Sequence, residues 1–312
     1  MSMQRVGALA LAVVFLAQPP VWADVFGTGP NQFTIDFVPI PGGTNPADTN
    51  PSGGYGIVSY DYRIGVYEIT NAQWDTFVAE GRGGIPLGSS YSTGADMPVN
   101  RRSWFQAAHF VNWLNTSTGH QVAYQFDGQG DFVPWAAVDA WGGTNLYRHK
   151  NAFYFLPSED EWVKAGYFNG TVLQDYATKP NDTLQQGNGT SGIGWNYYNN
   201  GVHATSPPGP WLVGSGSEEL SGTYDLMGNV WEMIESPWTD PNYGAGSFRV
   251  LRGGAFGDPA SALSVLPRSG IAPTLENPYY GFRVASAVPE PASVTLLFAG
   301  AVGLLWRRRR HT

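Results

Sequence analysis

The chain has no cysteine, although both of its ends read as instructions for export. Exported domains commonly lean on disulfides when their cores are too small to hold them. This chain has no such recourse, so its fold must be held by a core alone. Residues 24–287 are enough for one large domain with a substantial core. The composition agrees with that demand. Forty glycines, 12 tryptophans and only 13% charged residues describe a loop-heavy fold with aromatic packing, not a disordered chain.

The end segments carry recognisable patterns. At the amino end, Ala8 to Ala17 is a short apolar run behind Arg5, and Val21-Trp-Ala23 places small residues at the usual cleavage positions. This predicts a signal peptide over 1–23, with Asp24 opening the mature chain. At the other end, Val288-Pro-Glu-Pro291 precedes an apolar stretch, Ala292 to Trp306, and then Arg307 to Arg310. The stretch is shorter than the roughly 20 residues that span a bilayer upright. The arginines behind it would stay on the cytoplasmic side. Order and content resemble the Pro-Glu-Pro carboxy-terminal sorting signal of Gram-negative bacteria. That resemblance implies a domain over 24–287 and a sorting tail over 288–312 with a short transmembrane segment. It also implies an exosortase-type protease as partner, and a membrane anchor that lasts until processing. A plain tail anchor is the competing reading of the same residues.

Of the 17 basic and 25 acidic residues, Arg5, Arg307 to Arg310 and Glu290 lie in the end segments. The domain between them is therefore more acidic than the formal net charge of −8 for the whole chain. Such a surface repels nucleic-acid phosphates and favours cations, which excludes nucleic acid as an expected partner.

Within the domain, Tyr60 to Glu68 alternates like a strand, and Thr70 can cap a helix bearing Trp74, Phe77 and Val78 on one face. Ser103 is the candidate cap of a second helix, with Trp104, Ala108, Val111 and Leu114 at helical spacing and Gly119 beyond its end. Asp127-Gly-Gln-Gly-Asp131 lacks the full spacing of a calcium loop and reads as a polar hairpin turn. In Leu156-Pro-Ser-Glu-Asp-Glu-Trp162, Ser158 and Glu161 have capping-box spacing. Its three acids fit a helix start better than acid–base chemistry. Asp175 to Ser221 has little periodicity and predicts long irregular structure.

Three further segments complete a set: Gly222-Thr-Tyr-Asp-Leu-Met-Gly-Asn-Val-Trp-Glu232, Arg252-Gly-Gly254 and Gly281-Phe-Arg283. With Gly65 to Trp74, Pro98-Val99, Trp113-Leu114 and Leu156 to Trp162, they resemble the formylglycine-generating enzyme, or sulfatase-modifying factor, family. The resemblance runs from about Tyr62 to Ala285, with His120 to Ala152 looking like an insertion. It implies an α+β, elaborated C-type-lectin-like fold with little regular secondary structure.

The resemblance also implies a calcium-binding turn. Its ligands would be side-chain oxygens of Asp225 and Glu232 and backbone carbonyls of Gly228 and Val230. Calcium takes six to eight hard oxygen ligands, and this segment offers four. An acidic turn whose Glu232 pairs with an arginine is the competing reading. Asn196-Tyr197 matches part of a second family site, but His203 to Trp211 contains no carboxylate to complete it. In the catalytic members two cysteines follow the Arg-Gly-Gly motif. Asp258 and Leu263 stand at those positions here. Copper(I) is selected by thiolates, so copper is not expected as a cofactor. Arg252, Asp258 and Arg268 are the candidates for a remaining polar cleft. A related branch uses histidines on non-haem iron, but His109, His120, His149 and His203 form no His-x-x-x-His pair. Trp195, Tyr197, Tyr198, Trp211 and Trp238 fit a sugar-binding surface or a core equally well.

These readings predict an exported, surface-associated, calcium-binding domain of a Gram-negative cell envelope. It would lack the cysteine-dependent oxidase reaction and have a binding or structural role, with extracellular polysaccharide as a candidate partner. A non-haem iron or other oxidoreductase of the same family is the alternative.

Overall fold

The computed structural model describes residues 21–51, 53–81 and 91–289. The apolar run Ala8 to Ala17, and the tail from Glu290 with its expected transmembrane segment, lie outside the described residues. Among the described residues no helix is long and apolar enough to cross a membrane.

Among the described residues, a five-stranded sheet, a four-stranded sheet, a two-stranded ribbon and three α-helices carry the domain. Strands β1 (Trp22–Thr28) and β2 (Asn31–Ile40) form a hairpin in register from Trp22 opposite Phe37 to Thr28 opposite Asn31. Gly29, at φ +54°, makes its turn. The sequence reading did not anticipate this hairpin. Its first strand starts two residues ahead of Asp24. The Asp24 carboxylate accepts hydrogen bonds from Arg63 and from the Tyr154 hydroxyl. Strand β3 (Tyr62–Gly65) follows β2 and is the buried centre of the stretch expected to be a strand.

Helix α1 (Asn71–Ala79) begins at Thr70, whose hydroxyl accepts from the Gln73 amide while the Gln73 side chain accepts from Thr70. Helix α2 (Trp104–Ser117) has the same reciprocal box between Ser103 and Gln106, and Gly119 follows its end at φ +80°. Each box satisfies amides that the first turn leaves open. Trp74 stacks on Phe110 at 5.8 Å, and Phe77, Trp113 and Phe282 close around them. Fully burying a side chain such as Phe contributes about 1.5–3 kcal/mol, so a cluster of this kind supplies what disulfides cannot.

The insertion forms the expected turn at Asp127, whose carboxylate accepts from the amides of Gln129 and Asp131. It then forms a small ribbon of β4 (Ala140–Trp141) and β5 (Asn145–His149). Strand β6 (Tyr154–Phe155) leads into helix α3 (Glu159–Tyr167), capped by the Ser158–Glu161 box. From Phe168 to Val230 the chain has no helix or strand, and the stretch expected to be irregular, Asp175 to Ser221, lies within it.

Strands β7 (Trp231–Pro237), β8 (Arg249–Arg252) and β9 (Ser269–Ile271) are antiparallel neighbours, and β10 (Tyr280–Gly281) pairs parallel with β7. The last strand, β11 (Ala285–Ala287), inserts between β3 and β6 and completes the order β1-β2-β3-β11-β6. A second core lies under α3, with Trp162, Tyr167, Trp195, Leu226 and Leu263.

Candidate functional site

The turn before β7 is forced by its backbone. Asp225 and Asn229 hold φ near +60°, and Gly228 lies at +86°. A Cβ on Gly228 would also fall 2.2 Å from the Asn196 carbonyl oxygen, so only glycine fits there. The turn thereby presents Asp225 inward, where Oδ1 accepts from the Trp211 indole and Oδ2 from the Gly214 amide, both at 2.7 Å. Burial pushes the Asp225 carboxyl up to about 6 in spite of these bonds. Val230 is fully buried.

Glu232, the first acid on β7, meets Arg283. Arg283 donates from Nε to both carboxylate oxygens at 2.8 Å and from a terminal nitrogen to Oε1 at 2.6 Å. The Trp162 indole donates to Oε2 at 2.8 Å. These four contacts take up the acceptor capacity of one carboxylate.

Two acids that the sequence reading overlooked belong to the same cluster. Glu68 accepts from the Asn229 side chain with both oxygens. Burial raises its pKa well above the ordinary value, and the Asp225 charge adds to the rise. Glu219 accepts from the amides of Leu226 and Met227 and from the Thr223 hydroxyl, and burial pushes it up to about 7. A lone glutamate in the apolar run Ile64 to Ile69 was the available signal for Glu68.

At the Asp225 end of the turn, buried carboxylates outnumber the guanidinium of Arg283. The residues do not fit a cation at Glu232, whose oxygens are committed. Among the described residues no three His, Cys, Asp or Glu side chains converge to hold a metal ion. Any ion here would need backbone carbonyls or water as well.

The expected cleft of Arg252, Asp258 and Arg268 does not form. Arg252 and Arg268 converge on buried Glu159 at the start of α3, with contacts of 2.5–2.8 Å. Asp258 turns elsewhere. Its Oδ2 accepts from the Trp231 indole at 2.8 Å and from the Ala255 amide at 3.0 Å. It lines a cavity of about 310 Å³ with His203, Trp231 and Tyr279. The arginines are drawn to Glu159 because a buried guanidinium needs a buried counter-charge. Leu263 ends a 3₁₀ turn (Ala260–Leu263), is fully buried, and offers the Tyr167 hydroxyl only its backbone carbonyl.

The three acids of α3 have different partners. Glu159 holds the two arginines just described. Asp160 accepts from the Gly56 amide, and burial lifts it to about 6. Glu161 receives a fork of two bonds from Arg148, at 2.9 and 2.8 Å, while Arg148 Nε reaches Glu235. Burial pushes Glu161 up, but Arg148 brings it below the ordinary range. This Arg148 network has no local signature in the sequence.

The histidines are scattered. His109 stacks on Phe126, His120 on Phe153, and His149 packs against Trp135. Trp195, Tyr197 and Trp211 are buried, which removes them from any surface platform, while Tyr198 and Trp238 are partly exposed.

The family described as "Sulfatase-modifying factor enzyme 1-like domain" matches residues 23–288, and the "PEP-CTERM protein-sorting motif" matches residues 287–310. The sorting motif marks the protein for export, for association with the bacterial cell envelope or surface, and for the exosortase system. "Chaperone protein LppX" of Paenibacillus barcinonensis is 23% identical, over 73% of this chain and 81% of its own length. "Inactive C-alpha-formylglycine-generating enzyme 2" of Bos taurus is 26% identical, over 84% and 91%. Among solved structures, "Treponema denticola variable protein 1" superposes with a TM-score of 0.60 at 22% identity, covering 87% of this chain and 100% of that one. The fold is thus the α+β, C-type-lectin-like arrangement with little regular secondary structure. With the family matched over nearly the whole described domain, the chain belongs to the sulfatase-modifying factor enzyme 1-like family.

Proposed function

We propose that this protein is an exported, surface-associated member of the family that does not carry out the cysteine-dependent oxidation and acts by binding. The observation that carries the reading is the occupancy of the two cysteine positions. Asp258 is tied to Trp231 and Ala255, and Leu263 is buried in the core. Neither supplies a thiolate, and the chain has none elsewhere. The bovine relative bearing the word "inactive" in its name supports the same reading.

The test is direct. Purified mature domain is incubated with copper(I) and a cysteine-containing sulfatase peptide, and the peptide is weighed by mass spectrometry. The expected outcome is an unmodified cysteine. An aldehyde product would overturn the reading.

A bound calcium ion at the Asp225 end of the turn is part of the proposal. What supports it is the surplus of buried carboxylates, Glu68, Glu219 and Asp225, around Arg283. The cation would be structural, neutralising that surplus and fixing the irregular chain before β7. The envelope would be that of a Gram-negative bacterium, with the tail a transient anchor. In that case intact mass of the native protein shows loss of the segment after about Val288, and a retained arginine-rich terminus means a permanent anchor instead.

A further inference from the structure

A cavity of about 300 Å³ lies where the insertion meets the start of α3. That is the low end of the range for small-molecule sites, about 300–1,000 Å³. Its wall combines Ser158, Glu159 and Asp160 of the family motif with residues of the insertion. The insertion supplies Trp141 and Asn145 to its lining, and Tyr55, Asp160, Asp240 and Tyr243 line it as well.

We infer that this cavity binds a neutral, hydroxyl-rich ring, one sugar unit of an extracellular polysaccharide. The inference rests on the reading of the protein as an exported binding module. It stands on three features of the site.

The first is the aromatic wall. Trp141 is half-buried and meets Tyr60 edge to face, at 5.2 Å and 74°. That arrangement braces the indole while leaving part of it in the cavity wall. Tyr55 and Tyr243 are also half-buried there. A sugar ring has an apolar C–H face, and flat aromatic rings are the side chains that match it.

The second is that the deep guanidinium groups are already spent on carboxylates. Arg148, on the floor, is bonded to Glu161 and Glu235. Glu159 is bonded to Arg252 and Arg268. An anionic ligand would find no unpaired deep guanidinium, and burying it would go uncompensated. A neutral ligand escapes that cost.

The third is the polar rim. Asp160 and exposed Asp240 are acceptors for hydroxyl groups, and Ser236 is both donor and acceptor. Rings and carboxylates together also describe a cage for an ammonium ion. Here, however, the Arg148 guanidinium lies 5.2 Å from the Trp141 ring, and Arg252 and Arg268 lie 5.4 and 4.9 Å from the Tyr55 ring. Those rings already have a cation beside them, which lowers their attraction for a second.

Calorimetric titration of the mature domain tests the inference. The probes are cellohexaose and maltohexaose as neutral sugars, a chitosan hexamer as cation and an oligoguluronate as anion, at one ionic strength. Neutral hexamer should bind, and Trp141→Ala should weaken it about tenfold, the scale of one lost aromatic contact. Asp240→Ala, at an exposed position that leaves the fold intact, should weaken it several-fold. Preference for chitosan or oligoguluronate overturns the neutral class. Neutral binding that both variants leave unchanged overturns the cavity, while the binding-module reading stands. Binding of none of the probes overturns the sugar inference, and the peptide oxidation assay still judges the non-oxidase reading separately.

Discussion

Two buried charge clusters share strand β7 and are built on opposite principles. Glu235, near its end, joins a cluster in which Arg148, Arg252 and Arg268 face Glu159, Glu161 and Glu235. Glu232, near its start, joins one in which Arg283 faces Glu68, Glu219, Asp225 and Glu232. The first is balanced in that each glutamate has a guanidinium partner. Arg148 holds Glu161 in its charged form, although burial still raises Glu235. The second has an excess of acid, and burial pushes Glu68, Glu219 and Asp225 up. The lesson is that buried charge serves two ends within one fold. Where it is balanced it locks elements together, and where it is unbalanced it leaves an electrostatic demand that a cation can meet.

The largest expected effect is in the balanced cluster. Arg148→Met leaves Glu161 and Glu235 buried without their cation. Removing one partner of such a group costs about 3–5 kcal/mol. Urea unfolding of the mature domain measures it. A loss below about 1 kcal/mol, the size of an exposed pair, would mean that the network does not lock α3 to β7.

Next comes calcium. If the acid-rich turn takes the ion, calcium at a hundred times its dissociation constant adds about 2.7 kcal/mol of stability. The melting temperature should rise on calcium addition and fall back with chelator. Asp225→Ala should abolish the increment, and Arg148→Met should keep it. A melting temperature indifferent to calcium in the unaltered protein would remove the ion from the proposal and leave the turn as an acidic knot around Arg283.

The sign of single-charge removal separates the clusters more finely. Glu68→Gln takes one charge out of the excess and keeps an acceptor for Asn229, so it should change stability by no more than about 1 kcal/mol, in either direction. Glu161→Gln removes a charge that Arg148 needs and should cost about 2–3 kcal/mol. Equal costs in chemical denaturation would erase the distinction drawn between the two regions.

What was legible in the sequence was local. Thr70, Ser103 and Ser158 announced their helices because a cap and the first turn it closes lie within four residues. The Asp127 turn was legible for the same reason. The acidic start of α3 was read correctly as a helix terminus, but its sequence says nothing of the partners Arg148, Arg252 and Arg268. Those partners arrive from distant segments, and no spacing rule encodes them. The same gap explains the cleft that did not form. Arg252 and Asp258 are close in sequence, yet the Gly253-Gly254 bend, with φ of +98° and +76°, separates strand β8 from the turn that carries Asp258. Trp195, Tyr197 and Trp211 could not be sorted into core or surface because irregular chain has no period to reveal a buried face. The β1–β2 hairpin was missed because its opening residues were read as a cleavage site.

The smallest effect lies inside α3, where neighbours belong to opposite regimes. Glu161 is held by Arg148, whereas Asp160 has backbone amides of Gly56 and Ile57 as its partners. Burial raises Asp160 from 3.8 to about 6. A carboxyl raised on folding binds its proton more tightly in the native state. Its contribution is therefore fully present below the unfolded value and is lost as pH rises through the folded one. Glu161, shifted down, works in reverse, contributing above its unfolded value and losing that contribution as pH falls. Asp160→Asn should thus remove a shallow decline in stability between about pH 4 and pH 6, while Glu161→Gln should remove a steeper decline toward acid. Because Asp160 lines an open cavity, its shift is partly screened, and its share of the pH dependence should be the smaller. Melting temperatures of the two variants across that range decide the matter. If Asp160→Asn instead steepens the loss above pH 4, Asp160 is held as a carboxylate by the amides it accepts from, and it belongs with the balanced cluster after all.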